Sequence, residues 1–277
     1  MHNEEFLLLR DMSIYTKRFG NGIPLVFLHG GPGGEHRYFL PHLQSLDSHF
    51  ELIFYDQRGC GQSARLQGGD YTIEDEIETL EELRKSLGLE KLNLVGESWG
   101  SMLALLYASK YPQHTNKIFM TAAVGATVDG YLGFGEELEK RLTSEDRRKF
   151  DELVKKLEVN EVDVAEIFKV INPYYVYSVS KLAKKTETNS NAEVNSRLGE
   201  DIKSKYNHLI DSEALGQVPM MIAQGDTDII TPEALEELLL KHLPHARLVE
   251  IKNCGHWSVI EQPEVLKNLI KEFFLGE

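Results

Sequence analysis

The sequence has little cysteine and no excess of positive charge. Only two cysteines, Cys60 and Cys254, occur among 277 residues, which excludes a disulfide framework and a cysteine-based metal site. The 30 basic residues are outnumbered by 44 acidic ones, and the formal net charge is −14. Because nucleic-acid binding requires a concentrated basic face, we expect no nucleic-acid partner.

Long apolar runs are also missing. No stretch reaches the roughly 18–20 apolar residues that cross a bilayer. The first ten residues, MHNEEFLLLR, lack the basic start, long apolar stretch and cleavage site of a secretory signal. We therefore expect a cytoplasmic protein without a membrane partner. Its 42% hydrophobic and 27% charged residues are typical of a folded globular chain, and its length suits one large unit with an insertion.

Apolar strand patterns alternate with helical patterns along most of the chain. This alternation is typical of an α/β protein with a mostly parallel sheet covered by helices on both faces. We predict eight strands, at residues 6–9, 13–19, 24–28, 50–55, 92–95, 117–123, 219–223 and 246–251. The helices predicted between and after them span residues 35–46, 72–87, 101–111, 232–242 and 263–274.

The alternation stops after the sixth strand and resumes at the seventh. The intervening segment is charged and helical and lacks buried-strand runs, and it is far longer than a plain crossover requires. We predict a core domain of residues 1–124 and 217–277, with residues 125–216 inserted as a helical cap over one end of the sheet. Within the cap, the polar tract 184–196 is predicted to be an exposed loop. The candidate cap helices are GEELEKRL, SEDRRKFDELVKKL and VDVAEIFKVI.

A serine lies between two glycines where a strand pattern meets a helical one. Residues 96–100, GESWG, fit G-x-S-x-G, which alone is a weak signal in a chain with 22 glycines. The setting strengthens it, because a serine on a tight strand-to-helix turn presents its hydroxyl at the carboxyl end of the sheet. The helix N-terminus adds free N–H groups there. We predict that Ser98 is a nucleophile; a helix-capping serine is the alternative.

The base that accepts the serine proton should come late in the chain, after the acid. His256 lies in a loop that follows the last strand and opens at the same end of the sheet as Ser98. The loop after strand 219–223 offers two acids, Asp226 and Asp228. The acid must accept a hydrogen bond from the imidazole. We favour Asp228, which lies further out along the loop, whereas Asp226 is better placed to hold the turn.

A nucleophilic serine also needs backbone N–H groups that point at the developing negative charge. The N–H of Trp99, directly after the predicted nucleophile, is one candidate. The glycine-rich loop HGGPGG (29–34) follows a strand at the same end of the sheet, and the N–H of Gly31 is available there. A simple glycine turn is the alternative. We expect His29 to form hydrogen bonds within this loop.

Five motifs occur in the chain in a characteristic order. They are HGGPGG (29–34), DQRGCGQS (56–63), GESWGS (96–101), GDTDIITP (225–232) and CGHW (254–257). With them the chain resembles an α/β-hydrolase of the proline iminopeptidase family. The resemblance implies Ser98 as nucleophile, Asp228 as acid, His256 as base, and Gly31 with Trp99 as the oxyanion hole. It also implies release of N-terminal proline, or another small residue, from short peptides.

Substrate contacts are expected in the cap and beside the triad. Trp257 and Trp99, which neighbour triad residues, are expected to form an apolar wall. Glu97 is either a structural residue or a substrate contact. The cap contributes one dense aromatic cluster, PYYVYS, which either lines a pocket or forms cap core. Its candidates are Tyr174, Tyr175 and Tyr177.

The same triad also serves esters, since specificity depends on the cap. A carboxylic-ester or lactone hydrolase is therefore the alternative function, and a non-catalytic ligand-binding protein is the alternative class. The intact set of three residues disfavours the latter. No cluster of His and Cys has metal-ligand spacing, and we expect neither a metal nor a cofactor. The expected partner is a small-molecule or short-peptide substrate.

Overall fold

Eight strands form a single sheet in the computed structural model, which describes residues 3–66, 70–159 and 161–276. Their order across the sheet is β1-β2-β4-β3-β5-β6-β7-β8. The first two strands run antiparallel to their neighbours, and the pairs from β4 to β8 are parallel. The predicted mostly parallel, eight-stranded sheet is confirmed. The strands are β1 (Asn3–Leu9), β2 (Met12–Gly20), β3 (Ile23–Leu28), β4 (Phe50–Tyr55), β5 (Leu92–Glu97), β6 (Thr115–Thr121), β7 (Met220–Gly225) and β8 (Arg247–Ile251).

Helices cover both faces of the sheet. Alternate residues of the central strands enter separate apolar clusters, as the two-residue period of a strand requires: Val26 and Leu28 face one cluster, and Leu25 and Phe27 face the other. The α-helices are α1 (Ile73–Ser86), α2 (Trp99–Lys110), α3 (Val128–Arg141), α4 (Ser144–Glu158), α5 (Val164–Ile171), α6 (Ala192–Leu209), α7 (Ser212–Leu215), α8 (Pro232–Leu235), α9 (Ser258–Glu261) and α10 (Pro263–Leu275). Shorter turns are the 3-10 helices His36–Phe39, Gln44–Ser48, Pro112–His114, Asn172–Tyr174 and Val179–Lys184 and the π-helical turn Glu236–Leu240.

The helix predicted at residues 35–46 is wrong. Two short 3-10 helices stand there, and Leu40 between them has an extended backbone, with φ −102° and ψ 140°. Proline at position 41 explains the break, because its ring disfavours a helical conformation of the preceding residue and it has no N–H to donate. By contrast, the predicted start of α1 is confirmed, since the Thr72 side chain accepts a hydrogen bond from the backbone N–H of Asp75.

Residues 125–216, called here the helical insertion, contain α3 to α7. Helices α3 to α5 share a small apolar cluster with Ile229 of the loop after β7. Helix α6 instead buries one stripe of side chains in the apolar cluster that also contains Val26 and Leu28. The stripe consists of Val194, Leu198, Ile202 and Tyr206. The predicted loop 184–196 is therefore wrong at its end, because Asn191 caps α6 by accepting bonds from the backbone N–H groups of residues 193 and 194. The boundaries of a separate cap domain stay a prediction.

None of the helices in the described ranges has the length and apolar character that a membrane span requires.

An acidic side chain on α1 is buried in the apolar interior. Glu76 is fully buried, and among the residues that the structure describes neither of its carboxylate oxygens has a partner at good hydrogen-bond geometry. Burial raises the pKa of this carboxyl to about 8, although the nearby Arg58 charge opposes the shift. The folded protein thus keeps a proton on Glu76 that the unfolded chain, with its ordinary pKa of 4.5, releases at lower pH.

The Glu76 carboxyl should make the stability of the protein fall as the pH rises from about 4.5 to about 8, because the unfolded chain loses this proton first. Glu76→Gln, which resembles the protonated acid, should remove that contribution. The free energy of unfolding of the variant should exceed that of the wild type by more at pH 8 than at pH 5. Urea denaturation at the two pH values measures this difference.

Glu78→Gln is the matched control on the same helix. Although partial burial opposes it, Lys110 and Tyr111 lower the pKa of Glu78, so this variant should lose stability at pH 8 rather than gain it. An equal gain of Glu76→Gln at both pH values would contradict burial as the cause.

Candidate active site

Ser98 lies on a sharp turn between β5 and α2. Its backbone is left-handed, with φ 52° and ψ −118°, a conformation that costs a non-glycine residue energy and is found mainly at functional sites. The flanking glycines are required by close contacts. A Cβ atom on Gly96 would lie 2.4 Å from the carbonyl oxygen of Gly100, and one on Gly100 would lie 2.0 Å from that of Leu28. The predicted strand-turn-helix setting of Ser98 is confirmed.

Three side chains from distant parts of the chain form a hydrogen-bonded row. Ser98 Oγ lies 3.0 Å from His256 Nε2, and His256 Nδ1 lies 2.8 Å from Asp228 Oδ1. A carboxylate can only accept, so Nδ1 carries the proton and the neutral imidazole accepts the serine hydroxyl at Nε2. His256 and Asp228 are both buried. The arrangement can transfer the serine proton to the imidazole.

Of the two candidate acids, Asp228 contacts the histidine. Its other oxygen accepts a hydrogen bond from Gln224 Nε2 at 2.9 Å, and Oδ1 also accepts from the N–H of Ile230 at 3.2 Å. Asp226 instead accepts from the N–H of Cys254 at 3.1 Å and so joins the loops after β7 and β8. This is the turn-holding position that the sequence suggested for Asp226.

The charges around His256 favour its protonated form. Burial alone would lower the pKa of the imidazole, but the charge and hydrogen bond of Asp228, assisted by the charge of Glu97, outweigh it and hold the pKa above its ordinary value. The Arg141 guanidinium has a smaller opposing effect. The His256 imidazole is therefore neutral, and able to accept a proton, only above the pH at which a free histidine would be.

The glycine-rich loop after β3 passes beside Ser98. A Cβ atom on Gly30 would lie 3.1 Å from Ser98 Cβ. Gly31 has φ +129°, a conformation open to glycine. Within the described residues, the backbone N–H groups of Gly31 and Trp99 donate no hydrogen bond, so both are available. Their role as an oxyanion hole stays a prediction.

His29 and Gln57 fix this loop against α2. The N–H of Gln57 donates to His29 Nε2 at 3.0 Å, and His29 Nδ1 lies 3.0 Å from the carbonyl oxygen of Gly30. The indole N–H of Trp99 donates to Gln57 Oε1 at 2.9 Å. The expected hydrogen bonding of His29 in its loop is confirmed. The side chain of Trp99 is buried in this network, while the backbone N–H of Trp99 lies at the start of α2.

Two glutamines were missed by the sequence reasoning. Gln57 follows β4 and links His29 to Trp99, and Gln224, fully buried in β7, bonds to Asp228. The sequence signal that could have found them is a polar amide side chain at or just after the end of an otherwise apolar strand. A side chain of this kind must find partners when it is buried.

Glu97 is buried at the end of β5, beside Ser98. A Cβ atom on Gly30 would lie 2.1 Å from Glu97 Oε2, so the carboxylate lies against the glycine loop. Burial is the main reason that its pKa is raised to about 7; the Asp228 charge adds to the shift, and the His256 charge opposes it. The sequence left the direction of this side chain open, and the structure directs it at the glycine loop beside Ser98.

Aromatic rings surround His256. The ring of Tyr175 lies 5.5 Å from the imidazole and 5.3 Å from the indole of Trp257, measured between centroids. Phe134 of α3, which the sequence reasoning missed, lies 4.7 Å from the imidazole. Two of these rings come from the helical insertion and one from the His256 loop. Together they form an apolar wall beside the His256 imidazole.

For Tyr174 and Tyr177 the sequence left pocket lining and cap core as alternatives, and their contacts differ from those of Tyr175. The hydroxyl of Tyr174 donates to Asp146 at 2.7 Å, and its ring packs in the apolar cluster of α3 to α5. The side chain of Tyr177 is 54% exposed. Consecutive side chains on an irregular segment point in different directions, so only one of the three tyrosines faces the imidazole.

One group of potential metal ligands occurs in the described part of the chain: Glu35, His36 and Asp56. Its atoms are already hydrogen-bonded within the protein. His36 Nδ1 lies 2.8 Å from Asp56 Oδ1, while Glu35 pairs with Arg37 and accepts from the N–H of Asn189. These bonds join the glycine loop region to the loop after β4 and to the insertion, which is a structural role.

Comparisons with known proteins agree with this architecture. A family model described as alpha/beta hydrolase fold matches residues 23–263. The chain is 29% identical over 289 residues to a proline iminopeptidase of Saccharolobus solfataricus, covering 98% of this chain and 91% of that protein. It is 28% identical over 266 residues to a proline iminopeptidase of Lactobacillus crispatus, covering 90% and 89%.

Solved structures share the fold. The crystal structure of VinJ has a TM-score of 0.76 at 22% identity, with 99% of this chain and 98% of that one covered. The proline iminopeptidase of Mycobacterium smegmatis has a TM-score of 0.71 at 19% identity, with 99% and 98% covered. Since the family model spans most of the chain and the sheet, helices and serine turn agree with it, the chain belongs to the alpha/beta hydrolase fold family of hydrolases.

Proposed function

We propose that this protein is a serine hydrolase that releases N-terminal proline, or another small residue, from short peptides. The row Ser98 Oγ, His256 Nε2, His256 Nδ1, Asp228 Oδ1, with separations of 3.0 and 2.8 Å, carries the mechanism. The similarity to curated proline iminopeptidases over nearly the whole chain supports the substrate class.

In the proposed reaction, Ser98 Oγ attacks the carbonyl carbon of the scissile bond while His256 Nε2 takes its proton. Asp228 stabilises the resulting imidazolium. The N–H groups of Gly31 and Trp99 stabilise the oxyanion, each worth roughly 3–4 kcal/mol. His256 then protonates the leaving amine, which leaves an acyl-enzyme on Ser98. Water, activated by the same imidazole, hydrolyses the acyl-enzyme and restores the serine.

An aminopeptidase substrate carries an ammonium group next to the scissile carbonyl. A buried ammonium must meet a carboxylate, since an unpaired buried charge is costly. Glu97 supplies a buried carboxyl beside Ser98, and we propose it as the partner of the substrate amine. We further propose that residues 125–216 act as a cap and that Tyr175 and Trp257 line the site for a small side chain.

The aromatic wall also suits an uncharged acyl group. Phe134 and Tyr175 present apolar surface to His256, and Glu97, with a pKa of about 7, is partly protonated at neutral pH. A carboxylic-ester or lactone hydrolase is therefore the second candidate. The two candidates differ in whether the substrate needs a free amine.

Ser98→Ala should abolish turnover and leave the fold intact, because nucleophile, base and oxyanion hole act as a unit. Asp228→Asn should lose activity severely, since the wrong imidazole tautomer results. Asp226→Asn is the matched control and should mainly lose stability. Turnover of a prolyl arylamide and thermal unfolding measure the two effects. Substantial turnover by Ser98→Ala would refute the mechanism.

Activity should depend on the neutral form of His256. Because Asp228 and Glu97 raise its pKa, the acid limb of kcat/KM should lie above the roughly 6.5 of a free histidine. Glu97→Gln removes one of these negative charges and should move the limb to lower pH. Rates with an uncharged ester between pH 5 and 9 measure both, and a flat profile would exclude a histidine base.

The free amine of the substrate should raise kcat/KM. Acetylating the amine of a prolyl arylamide should lower kcat/KM at least 30-fold, about 2 kcal/mol, because the buried carboxylate loses its partner. In Glu97→Gln the free substrate should lose most of this advantage over the acetylated one. Equal rates of the two substrates with the wild type would favour the esterase and leave the triad standing.

A further inference from the structure

The helical insertion contacts the loop that carries Asp228. Arg141, the last residue of α3, donates to the carbonyl oxygen of Thr227 at 2.9 Å and to that of Asp228 at 2.5 Å. The planar guanidinium has several donors in a fixed fork, and both of these bonds go to adjacent carbonyls of one loop. Arg141 therefore connects the end of α3 directly to the backbone of the proposed acid.

The insertion is also connected to the loop that carries His256. Glu261, at the end of α9, is buried, and its carboxylate accepts three backbone N–H groups. Oε2 accepts from Gly255 at 2.7 Å and from Tyr177 at 2.9 Å, and Oε1 accepts from Ser178 at 2.9 Å. Hydrogen bonds to a carboxylate are stronger than neutral ones. One side chain thus joins the residue before His256 to two residues of the insertion.

The two backbones meet without intervening side chains at this point. The N–H of Trp257 donates to the carbonyl oxygen of Tyr175 at 3.1 Å. A Cβ atom on Gly255 would lie 2.6 Å from that same oxygen and 2.9 Å from the backbone nitrogen of Tyr177. The backbone of the insertion and the backbone of the His256 loop are therefore in direct contact, and no side chain would fit between them at position 255.

The acid and base loops are joined to each other independently of the insertion. Cys254 donates its N–H to Asp226, and its carbonyl oxygen accepts from the N–H and the hydroxyl of Thr227. The His256 loop is also joined to β6, because Ser258 Oγ lies 2.6 Å from Thr121 Oγ1, and the carbonyl oxygen of Thr121 accepts from the backbone N–H of Ser98 at 3.2 Å. Displacement of the insertion would hence leave Asp228 facing His256 and would leave this link to β6. The pair would lose its bonds to the insertion, and we expect His256 Nε2 to shift relative to Ser98 Oγ as a result.

We propose that Arg141 and Glu261 are positioning residues that seat the helical insertion on the loops of Asp228 and His256 and so hold His256 Nε2 within reach of Ser98 Oγ. The inference rests on the proposed function of the triad. It makes the insertion part of the catalytic apparatus in addition to its proposed role in substrate selection. Neither residue touches the reacting atoms.

The test compares Arg141→Gln, Arg141→Lys, Glu261→Gln and the double variant Arg141→Gln/Glu261→Gln. Gln at position 261 can offer only one acceptor atom in place of two, and Lys at position 141 retains the charge without the fork. The kcat and KM for a prolyl arylamide, or for an ester if that is the substrate, are measured at the alkaline plateau. There His256 is neutral, so the charge of Arg141 does not enter through the pKa.

We expect kcat to fall roughly 10- to 100-fold in Arg141→Gln and Glu261→Gln, since misplacement by about 1 Å costs this much. KM should change less than about twofold, circular dichroism should show folded protein, and Arg141→Lys should lie between Arg141→Gln and the wild type. The acid limb of Glu261→Gln should stay where it is in the wild type, because Asp228 still faces His256. The double variant should be no worse than the worse single one, since both contacts seat the same element.

Arg147→Gln and Glu264→Gln are the controls. Arg147 bonds to Glu139 within the insertion, and Glu264 pairs with Lys267 on α10, so both should keep wild-type kcat. Folded variants of Arg141 and Glu261 with wild-type kcat, or losses that multiply in the double variant, would overturn the inference. If Glu261→Gln does not fold, the two Arg141 variants decide alone.

The proposed function is tested separately by Ser98→Ala. An inactive Ser98→Ala with fully active Arg141 and Glu261 variants would overturn only this inference. An active Ser98→Ala would overturn the proposed function itself.

Discussion

The close approach of α2 to the end of β3 is the contact on which the candidate site depends. The Cα of Gly100 lies so near the carbonyl oxygen of Leu28 that no side chain fits between them. This contact brings the turn at Ser98 next to the glycine loop, and with it the free N–H groups of Trp99 and Gly31. The proposed nucleophile and the proposed oxyanion donors thus share one location because two backbones touch there, at the carboxyl edge of a parallel sheet.

The buried acids near Ser98 have different surroundings. Asp228 accepts hydrogen bonds from an imidazole, an amide side chain and a backbone N–H, and a carboxylate so surrounded is held in one orientation. Glu97 lies against glycine and has its pKa raised mainly by burial. The first environment fits a group that orients a base, and the second fits a group that awaits a cationic partner.

The helical insertion is less separate from the sheet than its place in the chain suggests. Helix α6 packs into the main apolar cluster, and the smaller cluster of α3 to α5 includes Ile229 of the loop after β7. The bonds of Arg141 and Glu261 and the rings of Phe134 and Tyr175 all reach the loops of the candidate triad. The proposed cap and the loop that carries His256 are therefore physically connected.

The sequence by itself determined the sheet, the strand-turn-helix at Ser98 and the choice of His256 and Asp228 as the residues that would meet Ser98. Strand alternation, glycine spacing and the order of loops can all be read along the chain. Proline at position 41 was a local signal too, although the helical pattern around it concealed the break. Tertiary structure alone decided that Tyr175 rather than Tyr174 or Tyr177 faces the imidazole, that Glu97 points at the glycine loop, and that Gln224, Arg141 and Glu261 hold the site. Each of these depends on which distant backbone lies alongside, and residue periodicity carries no information about contacts between segments a hundred residues apart.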